Sequence, residues 1–180
     1  MLAVSFLVDL ATGRLGASFF ILAALTAPFV VLHPRRGALF AARRPSPLLA
    51  SAVLIGAVPL TWYALIQIEL QRGAHVGDPH AHPEGHYAGM ATMALAFVLV
   101  ALVASLRSDG WRVPAWSAGV GVALFGLASM STPLLLGAAP PPGGRLAVFG
   151  GAALIVLAEL EARAGDSRPA PSGDSADSTA

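Results

Sequence analysis

Cysteine and lysine are both absent from the 180 residues. Without thiols, the chain has no disulfides, no thiolate metal centres and no cysteine nucleophile. Charge of either sign is scarce: 12% of residues are charged and 56% are hydrophobic, and the mean hydropathy is +0.70. Soluble domains carry roughly a quarter charged residues, so this chain has too few to cover a water-facing surface. It reads as an integral membrane protein. A formal net charge of +1, with no basic patch interleaved with aromatics, excludes a nucleic-acid partner.

Several chemical signatures are missing as well. There is no phosphate-binding glycine loop, no dinucleotide fingerprint and no Ser-His-Asp order. Flavin and nucleotide cofactors therefore have no support. Haem held between two histidines needs histidines on facing helices within the membrane, and no histidine lies mid-span. The exclusive use of arginine, with abundant Ala, Gly and Pro, points to a GC-rich bacterial genome. The expected location is the bacterial cytoplasmic membrane, crossed several times.

Five apolar segments follow one another, over residues 16–32, 47–70, 86–106, 114–136 and 146–160. Inside hydrocarbon every backbone amide must be satisfied within its own segment, so each is expected to be a helix. The expected fold class is all-α, a polytopic transmembrane bundle of about five spans. The fifth segment has the shortest apolar core, and the alternative is four spans with the fifth lying in the interface. Residues 1–15 do not read as a cleaved signal peptide, because no positive region precedes the apolar run and Asp9 and Arg14 follow it. They are expected to lie at the interface or to extend the first helix. The bundle is expected to occupy residues 16–162. Residues 163–180, rich in Pro, Ser, Asp and Ala, are expected to form a disordered tail that cannot bury enough surface to order itself.

Arginine placement sets the orientation. Arg35, Arg36, Arg43, Arg44, Arg107, Arg112, Arg163 and Arg168 fall on one side of five alternating spans, and only Arg14, Arg72 and Arg145 on the other. The positive-inside rule then places the N-terminus outside and the C-terminus in the cytoplasm. The loop at 73–86 faces outward.

That loop reads "GAHVGDPHAHPEGH", with four of the five histidines in the chain. Imidazole and carboxylate ligands suit Zn²⁺, Ni²⁺ or Cu²⁺, and the candidate ligands are His75, Asp78, His80, His82, Glu84 and His86. Side chains alternate along an extended strand, which would put His80 and His82 on one side. Pro83 is suited to the first position of the following helix, with Glu84 and His86 in its first turn. The spacing matches no established zinc motif: "HPEGH" is not H-E-x-x-H, since Pro and Gly break the helix which that motif needs. Met90 and Met93 continue the face that carries His86 at i+4 and i+7, and thioether with imidazole would suit Cu(I). Solvated histidines among headgroups, or a proton sensor, are the competing readings of the loop.

Other polar residues read as architecture. Gln67 and Gln71 share a helix face, and Glu69 is placed to pair with Arg72. Pro59 and Pro133 are expected to kink the second and fourth helices, and Gly119, Gly121, Gly126, Gly150 and Gly151 to let helices approach closely. The functional expectation is a small membrane protein whose outward loop binds a divalent transition metal for uptake, handling or sensing. The alternative is a structural or assembly subunit of a larger membrane complex, with membrane-protein partners. An enzymatic role is the weakest expectation, since Glu84 is the only candidate general base beside such a metal.

Overall fold

A computed structural model describes residues 2–13, 24, 31–32, 45–73, 77–82 and 85–166. Five helices account for most of them: α1 (Leu2–Ala11), α2 (Pro47–Gly73), α3 (His86–Ser105), α4 (Arg112–Ser131) and α5 (Gly143–Asp166). Among the described residues there is no strand. The helices α2 to α5 are long and apolar enough to cross a membrane. The shortest have 20 residues, about 30 Å of helix, which matches the hydrocarbon core of a bilayer. The chain is a multi-pass helical membrane protein.

The packing follows the rules of lipid rather than of water. Large apolar side chains such as Leu54, Ile55, Val58, Val113, Phe149 and Val156 point outward, while the buried positions are dominated by alanine. Lipid tails are as apolar as leucine, so leucine gains little by turning inward. Small residues gain close backbone contact, and they form the helix interfaces. The tightest seam joins α4 to α5. A Cβ on Gly151 would collide with the Gly119 carbonyl oxygen, and one on Gly126 would meet the Gly144 carbonyl oxygen and the backbone of Val148. Gly150, expected to share in this seam, faces open space, and Gly144 does the work instead.

Helix α2 packs on α3, α3 on α4, and α2 also touches α5, while α1 leans on α3. Val8 of α1 is buried in the same cluster as Tyr63, Ala91 and Phe125. The ends of the bundle differ sharply in chemistry. At one end Arg112 makes a two-pronged contact with Glu159, which also accepts from Trp116 Nε1 at 2.9 Å. Beside it Glu161 accepts from Ser46 Oγ at 2.7 Å and pairs with Arg107 at 3.1 Å. Four parts of the chain are tied together there. The opposite end carries the histidines.

Two boundaries differ from expectation. The fourth helix stops at Ser131, so Pro133 lies beyond it and kinks nothing; a residue before proline is steered away from helical geometry, and apolarity simply runs past the helix end. The fifth helix spans 24 residues, so it is not a short interfacial segment, and it continues to Asp166 beyond the expected boundary at 162. Pro59 does sit inside α2. Most of the apolar segment 16–32, and residues 167–180 of the expected tail, lie outside the described residues.

Candidate metal site at the histidine end

The turn between α2 and α3 is built on Asp78. Its Oδ1 accepts the backbone N–H of His80 at 2.9 Å, the local side-chain bond that favours Asp in turns. Its carbonyl accepts from Ala81 and His82, and the His80 carbonyl accepts from the His86 N–H at 2.7 Å. The chain here is a tight turn and not the extended strand that would align His80 with His82. Gly85 follows with φ of 65°, a left-handed conformation that glycine adopts without penalty. Helix α3 begins at His86, and Pro83, expected at the first position of that helix, lies outside the described residues.

These constraints bring His80 and His86 together. Their ring centroids are 6.0 Å apart with the planes tilted by 56°. Both rings line a cavity of about 190 Å³ with Met90, Phe125, Ser129 and Thr132, under a roof formed by residues 135–138. Met90 lies one helical turn after His86, as the spacing required. Both methionines pack against the apolar core, and Met93 does not line the cavity. Asp78 is turned to another groove, shared with Trp62, Glu69 and Tyr87, and His82 lines neither space. His75 and Glu84 lie outside the described residues. Among the described residues no three His, Asp or Glu side chains gather. Of the six expected ligands, the structure therefore joins two.

Behind the histidines, α2 presents a polar ladder at one-turn intervals. The Tyr63 hydroxyl donates to the Gly137 carbonyl, which pins the roof. Gln71 is buried and serves two partners: its Nε2 donates to the Ala81 carbonyl at 3.0 Å, and its Oε1 accepts the Ala88 N–H at 3.1 Å. It thus ties the histidine turn to the first turn of α3, whose N–H groups have no partner within the helix. Gln67 lies between them, 1% exposed. Neither atom of its carboxamide has a hydrogen-bond partner. The sequence placed Gln67 and Gln71 on one face; their roles around the site depend on residues far along the chain, which helical spacing does not reveal. Glu69 is exposed and pairs with Arg72 at 3.4 Å, as its spacing indicated.

Comparison with family models, curated proteins and solved structures finds no match to this chain.

Proposed function

We propose that this membrane protein binds a divalent transition metal, Zn²⁺, Ni²⁺ or Cu²⁺, at the histidine end of its bundle, for uptake, handling or sensing. The observation that carries the reading is the His80–His86 pair. Two imidazoles bound to one ion at about 2.0–2.1 Å hold their centroids about 5–6.5 Å apart, and the pair stands at 6.0 Å. Asp78 supports the pair by shaping the turn rather than by ligating. Met90 adds a soft thioether to the same cavity, a donor that suits Cu(I) better than these divalent ions. The arginine distribution supports a histidine end facing outward from a bacterial cytoplasmic membrane.

Titration calorimetry on the detergent-purified protein tests this. Saturable binding of one ion per chain is expected, with strong loss in His80→Ala and in His86→Ala and none in His33→Ala, which alters the one histidine outside the 73–86 loop. Ligand imidazoles must shed their protons, so affinity should fall on acidification. Absence of saturable binding by the parent protein to Zn²⁺, Ni²⁺ and copper alike would overturn the reading and leave a structural subunit as the better account.

A further inference from the structure

Gln67 is the one member of the α2 ladder with nothing to hold. A buried amide left without partners costs about 1–3 kcal/mol, and a leucine at this depth would avoid that cost. The surroundings suggest what the amide faces. A Cβ built on Gly137 would lie 3.8 Å from His86 Nε2 and 3.9 Å from Gln67 Oε1, with nothing nearer. The imidazole nitrogen and the amide oxygen thus both border the place where a Gly137 side chain would stand. Tyr63 holds Gly137 by its carbonyl. A water there would find polar partners in Gln67 and His86, which meets the usual requirement for a buried water of two to four partners.

We propose that Gln67 is a positioning residue for His86: its carboxamide holds the Nε2–H of His86 through one water in front of Gly137, and leaves Nδ1 to the metal. The inference rests on the metal reading above and adds to it the tautomer and the residue that sets it. Histidines that bind metals usually donate their other N–H to a fixed acceptor, which sets ring orientation and raises ligand basicity. Gln67 supplies that acceptor from a different helix. The ladder then has a consistent logic, with Tyr63 holding the roof, Gln67 the ligand and Gln71 the turn.

The test uses metal-free, full-length protein with ¹⁵N-labelled histidine in micelles, with the His86 signals assigned by their loss in His86→Asn. Two variants remove the bridge by different routes. Gln67→Leu deletes the acceptor, and Gly137→Ala fills the space at ordinary contact distances. The expected result is a His86 ring protonated mainly on Nε2 in the parent and a mixed tautomer in both variants. Metal affinity should fall about 10–100-fold in each, the usual effect of losing an outer partner. Gln67→Leu should unfold at the same temperature as the parent or higher, which separates positioning from a structural role. A parent ring protonated mainly on Nδ1, or parent-like tautomer and affinity in both variants, would overturn the inference. Failure of the parent to bind any metal would overturn the underlying reading instead.

Discussion

At the scale of single residues, the histidine end separates groups that hold the turn from groups that could hold an ion. Asp78 belongs to the first kind, because its carboxylate oxygen is engaged by the His80 N–H and it lines a different groove from the two rings. Asp78→Asn keeps a carbonyl oxygen that can accept the same bond. It should leave metal affinity within about twofold of the parent, since only the acceptor is needed. Affinity lost as fully as in His80→Ala would make Asp78 a ligand. His82→Ala should likewise bind nearly as the parent does in calorimetry. The sequence offers His80 and His86 among six candidate ligands on side-chain chemistry alone. It could not separate them from His82 and Asp78, because the separation depends on two backbone features: the bond that closes the turn and the left-handed Gly85 that precedes α3.

At the scale of elements, small residues and buried amides decide which helices meet. Gly151→Ala puts a methyl against the Gly119 carbonyl, an overpacking that should cost about 1–3 kcal/mol. Gly150→Ala meets nothing within 4 Å and should match the parent. Thermal unfolding of both variants in detergent checks the contrast, and equal unfolding temperatures would remove the seam from the account. Gln71→Leu strands the Ala88 N–H, while the Ala81 carbonyl keeps the Gly85 N–H. The change should destabilise by about 1–3 kcal/mol for the buried group left unpaired, measured in the same way. Helix existence was legible here because apolar runs of this length leave no other backbone solution in lipid. Helix ends were less legible. The run 114–136 stays apolar past Ser131, where Pro133 and the turn after it stop the helix. The run 146–160 understates α5, whose polar last turns continue because Glu159 and Glu161 find partners on α4 and beside it.

At the scale of the whole molecule, the bundle is polarised. Arginine and glutamate pairs lock one end, and the other holds a nearly uncharged cavity with two imidazoles at its edge. The asymmetry accords with the arginine count from which the orientation is proposed. Since no native cysteine interferes, single cysteines can report the orientation in intact cells. One at Gly77 should react with a membrane-impermeant maleimide and one at Ala41 should not; the reverse pattern would invert the topology. The division into two ends was legible from charge alone. The meeting of Tyr63, Gln67, His86 and Gly137 was not, because it joins α2, α3 and the turn before α5, and each of these segments taken singly shows only polar residues at the end of an apolar run.

The claim that organises all three scales is that His80 and His86 bind one ion. X-ray absorption spectroscopy on protein loaded with copper or zinc and then desalted reads the ligands directly. The account expects one retained ion per chain with two imidazoles in its coordination shell. An ion without that imidazole pair, or no ion retained at all, would contradict it.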